Sequence, residues 1–386
     1  MLQYFSADWI FPVSIPPIKN GTVAVNASGE IVKLFTEEES KDLNVQKLKG
    51  AIVPGFVNTH CHLELSHMLG QIPEQTGLVE FVKLIIKSRQ SSEEQILLAV
   101  ENANKQMFEN GIVAVGDISN QIGSKETKLK SKISYYTFIE AMGFNPERAE
   151  AIIEHVKQLE QDFLPLPSSI VPHAPYSVSP QLFKLIEDLA AQKHNFISIH
   201  NQETTHENAF FQDKKGDFLE LYRFLGLDIG FFEATGKSSL QSFLPYISNL
   251  KTLLVHNTVS NKEDIDFAKQ TNPNLYWCLC PNANLYIENS LPDVDLLIKE
   301  NVKITLGTDS LASNHQLNIM AEMKTLQQKK NVSFEKILKW ATLNGAEFLA
   351  LDKDLGTIEI GKKPGLNLIQ LSEDFEIKTD KVIKLV

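Results

Sequence analysis

Short apolar stretches with the character of buried strands alternate with longer stretches of helical periodicity along most of this chain. Such alternation is expected of βα units arranged around a parallel sheet. One helix is clear in the segment EEQILLAVENANKQMFENG, where apolar positions recur with helical spacing and the pattern stops at Asn110-Gly111. Eight strands are predicted, at residues 51–62, 111–119, 133–141, 169–177, 196–203, 251–259, 275–283 and 302–310. Eight such units predict an α/β fold, a closed (β/α)₈ barrel.

The two ends of the chain have a different pattern. Residues 21–34 contain two β-rich pieces around a polar turn at residues 26–29, which predicts a hairpin. Residues 356–371 repeat this arrangement around a glycine- and proline-containing turn at residues 361–365. We therefore expect both ends to pair into one small β-sandwich domain. The predicted division is residues 1–53 and 355–386 for this domain and 54–354 for the barrel, with residues 211–225 as an inserted helix or lid.

Composition and charge exclude some classes of partner. The 386 residues include 37 basic and 48 acidic side chains, for a net charge of −11, and no run of lysine or arginine stands out. Nucleic acid is therefore a poor candidate partner, because lysine and arginine neutralise the phosphates in such complexes. The chain has three arginines, which are the first candidates to bind a substrate carboxylate through their fork geometry: Arg89, Arg148 and Arg223.

The cysteines and the apolar runs bear on location. Three cysteines are odd in number and too few for a disulfide framework, which favours a reducing compartment. The first twenty residues lack a basic start followed by an unbroken apolar stretch, and no run approaches the roughly 18 apolar residues of a membrane span. We expect a cytoplasmic protein that does not use a membrane as partner.

Histidines mark the candidate chemistry. Residues two apart on a strand point to the same face, so His60 and His62 can present two imidazoles to one metal ion while Cys61 points away. Six groups in all fall at the predicted C-terminal ends of strands, where barrel enzymes place their active sites: His60, His62, His173, His200, His256 and Asp309. The alternative is that these histidines are separately buried and have only local partners.

A family resemblance rests on several of these segments. The motif VPGFVNTHCHL at residues 53–63, the histidines that end strands five and six, and GTDS at residues 307–310 resemble the amidohydrolase superfamily. The chain is most similar to the branch that holds chlorohydrolases, guanine deaminase and the methylthioadenosine/adenosylhomocysteine deaminases. The segment GTIEIGKKPG is similar to that family's tail motif, so the resemblance covers nearly the whole chain.

The resemblance implies a role for each group at the rim. It assigns His173 to contact with the substrate's heterocycle, His256 to polarisation of the attacked centre and Glu203, in the segment HNQET, to proton transfer. It also implies a homodimer, and one divalent ion, because strand four lacks the lysine of the family's binuclear members. The chemistry of the ligands favours zinc, with iron as the alternative. The implied ligands are His60, His62, His200 and Asp309.

The expected substrate is a small molecule. The leading hypothesis is deamination of an aminated heterocycle, such as an adenine nucleoside derivative, in which Asp309 also takes part in proton transfer. The sequence HLE at residues 62–64 resembles amidohydrolases that deaminate aminodeoxyfutalosine, so Glu64 is a candidate substrate contact; alternatively it anchors its loop. Arg89 and Arg148 are the other candidates. Two further hypotheses are hydrolysis of a cyclic amide, an amidine or a halogenated ring on the same machinery, and a metal-binding protein without catalysis.

Overall fold

The first strands of the chain build two small sheets. The computed structural model describes residues 2–386, and its first seven strands are β1 (Gln3–Ser6), β2 (Trp9–Ile10), β3 (Ile18–Lys19), β4 (Thr22–Val25), β5 (Ile31–Phe35), β6 (Gln46–Lys47) and β7 (Ala51–Pro54). Strands β4 and β5 form the predicted antiparallel hairpin, in a sheet of order β5-β4-β1-β6. The second sheet joins β3, β2 and β7 to two C-terminal strands, Leu366–Ile369 and Ile383–Lys384. The two ends of the chain therefore share a sheet.

Eight parallel strands follow and form the barrel. They are β8 (Phe56–Cys61), β9 (Ile112–Ser119), β10 (Ser134–Ala141), β11 (Ser168–Pro172), β12 (Ile197–Asn201), β13 (Thr252–His256), β14 (Leu275–Leu279) and β15 (Lys303–Leu306). They pair in sequence order within two four-stranded sheets. The backbone of His200 donates to the carbonyl of His173 (3.0 Å), and the backbone of Thr308 donates to that of His60 (3.0 Å). These bonds close the two gaps between the sheets and confirm the predicted (β/α)₈ fold.

The prediction of one strand over residues 51–62 was wrong. The chain divides at Gly55: β7 pairs with the C-terminal strand Leu366–Ile369, whereas β8 enters the barrel. A Cβ at Gly55 would lie 2.3 Å from a side-chain carbon of Val113 and 2.6 Å from the carbonyl oxygen of Pro364. Only glycine allows the two sheets to approach so closely at this junction.

The C-terminal β-rich pieces and several strand ends also differ from prediction. Within residues 356–371 only Leu366–Ile369 is a strand. In the first predicted piece the backbone of Ile358 donates to the carbonyl of Pro12 (3.0 Å), and the predicted turn, not this piece, bonds to Ile31 of β5 through Gly361 and Lys362. The last four barrel strands end two to four residues before the predicted bounds. Two of the rim residues have left-handed backbone angles, with φ of 76° at His256 and 56° at Asp309, so the chain turns where regular strand was expected.

Within residues 2–386, fourteen α-helices pack around the barrel and over its C-terminal rim. They are α1 (Leu78–Ser88), α2 (Glu93–Glu109), α3 (Lys125–Lys130), α4 (Ala149–Phe163), α5 (Pro180–Lys193), α6 (Thr205–Asp213), α7 (Phe218–Phe224), α8 (Ser239–Phe243), α9 (Lys262–Thr271), α10 (Pro281–Glu288), α11 (Val294–Lys299), α12 (Ile319–Lys330), α13 (Phe334–Ala341) and α14 (Leu343–Phe348). Helix α2 is the predicted one: the Ser92 hydroxyl caps it by accepting from the backbone of Gln95. Residues 211–225 comprise the end of α6 and all of α7. Within residues 2–386, every helix is too short or too polar to cross a bilayer.

Two apolar cores hold the site between them. The main core lies between the barrel and its helices and buries Trp277, Phe56 and Phe138 almost completely. A second, aromatic core lies above the rim and contains Phe210 and Phe218 from α6 and α7. Residues 211–225, predicted as an inserted helix or lid, are therefore helical and pack over the barrel, and the rim residues lie beneath them.

Candidate active site and metal centre

Four side chains that could bind a metal ion converge at the C-terminal rim of the barrel: His60, His62, His200 and Asp309. Their ligand atoms all lie within 4.8 Å of one another, and all four residues are buried. The Nε2 atom of His62 lies 3.2 Å from Nε2 of His60 and 3.3 Å from Nε2 of His200. Oδ1 of Asp309 lies 3.4 Å from Nε2 of His60 and 3.2 Å from that of His62. The sequence predicted this same set.

Hydrogen bonds to neighbouring groups orient the ligand atoms of His200 and Asp309 toward the other two histidines. Nδ1 of His200 lies 2.7 Å from the carbonyl oxygen of His173 and donates to it, which leaves the Nε2 lone pair of His200 free. The hydroxyl of Ser313 donates to Oδ2 of Asp309 (2.5 Å), so that Oδ1 faces the histidines. Three imidazole nitrogens and a carboxylate oxygen converge here at distances that suit a shared cation. This donor set fits a divalent ion such as zinc.

The charge states of His60, His200 and Asp309 agree with that fit, whereas His62 carries a proton that a bound cation would displace. Burial lowers the pKa of His60, and that of His200 well below its usual range, so both rings are neutral and able to bind metal. Burial also lowers the pKa of His62, but the hydrogen bond and charge of Asp309 outweigh it and raise the value to about 9. Burial opposes ionisation of Asp309, yet the bonds from His60 and His62 hold its pKa well below its usual range. The centre therefore holds an ionised carboxylate among imidazoles.

Two groups beside the centre suit proton transfer. Nε2 of His256 lies 3.6 Å from Oε2 of Glu203, and both side chains are buried. Burial lowers the pKa of His256 to about 3, so its ring is neutral; the Asn284 amide donates to Nδ1 (3.1 Å), which places the ring proton on Nε2. Burial, and then the charges of Asp309 and Glu207, raise the pKa of Glu203 well above its usual range. Glu203 therefore retains a proton that it can donate.

The family of this chain is shown by a family model that matches both the barrel and the C-terminal segment. The model described as "Amidohydrolase family" matches residues 51–386. This chain belongs to the amidohydrolase family. Membership confirms the resemblance found in the sequence and the predicted class, a hydrolase that acts on carbon–nitrogen bonds.

Relatives of this amidohydrolase carry deaminase names. The chain is 24% identical to an adenosine deaminase of Helicobacter pylori (84% of this chain, 80% of the relative) and 26% identical to an aminodeoxyfutalosine deaminase of Nitratiruptor (83% and 79%). Among solved structures it resembles the aminofutalosine deaminase of H. pylori in complex with methylthio-coformycin, with a TM-score of 0.81 and 22% identity (98% of this chain, 94% of that chain). This structural likeness shows the shared fold.

The remaining predicted site residues divide between the centre and the surface. A cavity of about 170 Å³ opens onto the metal centre and is lined by His173, Glu203, His256, Glu64 and Arg89. Oε2 of Glu64 also accepts from the backbone of Asn120 (2.9 Å) and of Gln121 (3.1 Å), so this carboxylate anchors a loop as well as facing the cavity. Arg148 lies elsewhere, exposed at the start of α4, because the chain after β10 turns outward there.

Glu207 supports the site in a way that its sequence position did not reveal. It is fully buried and accepts from the backbone of Gln202 (3.0 Å) and of Glu203 (3.2 Å). The hydroxyl of Ser239 donates to it as well (2.5 Å). Burial raises its pKa to about 7. Glu207 therefore fixes the loop that carries Glu203.

A buried ion pair behind the centre was missed altogether. Nζ of Lys128 lies 2.6 Å from Oδ2 of Asp117, and both side chains are fully buried. Oδ1 of Asp117 accepts from the backbone of Leu63 (2.8 Å), the residue that follows His62. The available signal was an aspartate inside the otherwise apolar strand β9, since a charge at a buried strand position needs a partner. The partner's place on α3 could not be found from spacing.

Proposed function

We propose that this chain is a metal-dependent aminohydrolase that releases ammonia from an adenine nucleoside derivative. One observation carries the proposal: a protonated carboxyl, Glu203, and a neutral imidazole, His256, lie together beside a metal-binding set of three histidines and Asp309. A non-catalytic metal site has no need of such proton carriers. The deaminase names of the relatives support the same reaction.

One zinc ion is the proposed cofactor, with iron as the alternative. The groups that would hold it are His60, His62, His200 and Asp309. When bound, the ion would lower the pKa of a water molecule to about 7 and so supply hydroxide at neutral pH. Glu140, His173 and His200 also lie close together, but His200 approaches Glu140 through Nδ1, which already donates to the His173 carbonyl. That arrangement supports one ion per chain.

The chain's own groups divide the proton transfers. Asp309, ionised in the resting protein, can accept a proton from the attacking nucleophile. His256 donates a hydrogen bond from Nε2 and so stabilises negative charge that develops on the attacked carbon's substituents. Glu203 delivers a proton to the ring nitrogen or to the leaving amine, a task worth about 10² to 10⁴ in rate. His173, whose Nδ1 lies 2.7 Å from the Ser177 hydroxyl, would contact the heterocycle.

Aminodeoxyfutalosine is the candidate substrate within this class. The sequence HLE at residues 62–64 and the name of the Nitratiruptor relative support it. Glu64 also lines the cavity, as a residue that contacts the substrate must. All three cysteines are buried and free, which supports the proposed cytoplasmic location. A homodimer is proposed from the family resemblance alone.

A screen for ammonia release tests the proposal. The purified, metal-loaded protein would be offered adenosine, methylthioadenosine, adenosylhomocysteine, guanine and aminodeoxyfutalosine. Ammonia from at least one adenine nucleoside is expected; none from any aminated heterocycle would favour hydrolysis of a cyclic amide or a halogenated ring instead. Elemental analysis should give one metal ion per chain, and two per chain would overturn the mononuclear assignment.

Asp309→Asn tests the proton path on the active substrate. We expect activity to fall to about 1% or less with the fold retained, because the amide is a poor proton acceptor. Asp266→Asn, at an exposed carboxylate 2.8 Å from Lys262, is the matched control and should behave as wild type. Because Asp309 would also bind the metal, the metal content of the variant must be measured beside its rate. Activity above about 1% with full metal content would remove Asp309 from the proton path.

A further inference from the structure

A buried carboxyl group behind the rim has no part in the proton transfers described above. Glu322 lies on α12, is completely buried and does not line the cavity at the metal centre. No lysine, arginine or histidine in residues 2–386 lies within ion-pair distance of it. Burying an acid without a counter-charge costs free energy, which its hydrogen bonds must offset. The partners of Glu322 therefore indicate what it contributes.

One oxygen of Glu322 holds the loop that carries Asp309. Oε1 accepts from Nδ2 of Asn314 (2.8 Å), and the same amide donates to the carbonyl of Thr308 (2.9 Å). Thr308 directly precedes Asp309 in the chain. Ser313, which directly precedes Asn314, donates to Oδ2 of Asp309. Asn314 therefore fixes both ends of this loop, and Glu322 fixes Asn314.

The other oxygen of Glu322 holds the start of helix α10. Oε2 accepts from the backbone of Asn282 (2.9 Å), in the first turn of that helix. About one turn further along α12, the Thr325 hydroxyl donates to the Asn282 side chain (2.6 Å), so α12 binds this residue twice. Two residues later in α10, the Asn284 amide donates to Nδ1 of His256. The ring of His256 is therefore oriented from a helix whose position Glu322 helps to set.

We propose that Glu322 is a positioning residue that sets the location of Asp309 relative to His256. The inference rests on the proposed deaminase function, in which Asp309 accepts a proton and His256 stabilises charge at the same attacked centre. These two groups lie on different strand ends, and one buried carboxyl group is bonded to both of the segments that support them. Loss of either bond should impair the chemical step and leave substrate binding nearly unaltered.

Glu322→Gln tests the inference with a side chain of nearly the same size. Glutamine has one acceptor oxygen where glutamate has two, so an N–H donor of Asn282 or Asn314 must face an NH₂ group. We expect kcat on the active substrate to fall by about 10- to 100-fold at full metal content, with KM within about threefold of wild type. The Kd for zinc, measured by competition with a chelator, should rise by about 10- to 100-fold, because Asp309 is displaced.

Glu160→Gln is the matched control, because Glu160 is another buried carboxylate, on α4, where it binds Lys193 (2.5 Å). It should lower the melting temperature without changing kcat or the Kd for zinc. An equal loss of kcat in both variants would assign Glu322 a general structural role. Unchanged kcat and Kd in Glu322→Gln would exclude positioning. Either result overturns the inference.

Thr325→Val keeps the inference testable if Glu322→Gln does not fold. It removes one bond to Asn282, so kcat should fall by about 2- to 10-fold. The Kd for zinc should match wild type, because the loop that carries Asp309 is untouched. An unchanged kcat would overturn the inference. If wild-type protein releases no ammonia from any heterocycle, the proposed function fails; a weaker zinc Kd in Glu322→Gln would then still support the inference, and an equal Kd would overturn it.

Discussion

Lys128→Met should destabilise this protein strongly although Lys128 does not reach the cavity. The ammonium group has three donors, and the structure pairs them with Asp117 (2.6 Å), Ser119 (2.9 Å) and Thr137 (3.1 Å). Methionine fills similar space but leaves the Asp117 carboxylate buried without its counter-charge. Breaking one side of a buried pair costs about 3–5 kcal/mol, a large part of the 5–15 kcal/mol that holds a typical domain together.

Urea unfolding followed by tryptophan fluorescence measures this loss as a shift of the midpoint at constant slope. Lys130→Met is the control on the same helix, because Lys130 and Glu126 are 3.9 Å apart and mostly exposed; its cost should lie within about 1 kcal/mol. Asp117→Asn combined with Lys128→Met removes both charges and should recover part of the loss. A single Lys128→Met variant within about 1 kcal/mol of wild type, or strictly additive single costs in the double variant, would refute the reasoning.

Four further outcomes are expected from the site. Chelation of the metal should lower the melting temperature, since an ion held at 1,000 times its Kd adds about 4 kcal/mol to the folded state; an unchanged value would contradict a metal centre. Activity should fall as pH rises through the raised pKa of Glu203, because the proton donor is then lost. Glu207→Gln removes a neighbouring charge that helps to raise the pKa of Glu203. The alkaline limb of the pH–rate profile should therefore move to lower pH, and a shift to higher pH would contradict this effect of Glu207 on Glu203. In Asn284→Asp the new carboxylate should accept a hydrogen bond from Nδ1–H of His256, so the ring proton moves to Nδ1 and Nε2 no longer donates. We expect kcat to fall by about 100-fold or more, and an unaltered kcat would show that the tautomer is unimportant.

The barrel and the position of its candidate metal ligands at the rim could be predicted because both depend on order along the chain. Which four of the six rim groups would bind the ion was implied by the family resemblance. Parallel strands place all their C-terminal ends on one rim, so a histidine or aspartate at each strand end is brought to that rim whatever the helices do. His200 and Asp309 are 109 positions apart and still converge for this reason. Alternation along a strand likewise separates His60 from Cys61, which packs into the main core.

What the sequence did not reveal depends on contacts between distant segments. Gly55 divides a continuous apolar run because Val113 and Pro364 approach it in space, and neither is close to it in sequence. The pairing of Asp117 with Lys128 depends on how α3 packs against the barrel. Charge and fork geometry are the same for every arginine, so they could not separate Arg89, at the cavity, from an exposed arginine elsewhere.

The loop after β8 connects the proposed metal site to the end of α1. Within six residues it carries His62 at the metal centre, Glu64 on the amides that follow β9, and His67 on the carbonyl of Arg89. Asp117 holds the start of this loop through the backbone of Leu63. Variants within the loop should therefore alter kcat and KM together, because they displace a metal ligand and the end of α1 at once. Variants of Phe81 and Ile85 on α1 should alter KM alone, since these side chains line the cavity but are not among the proposed metal ligands.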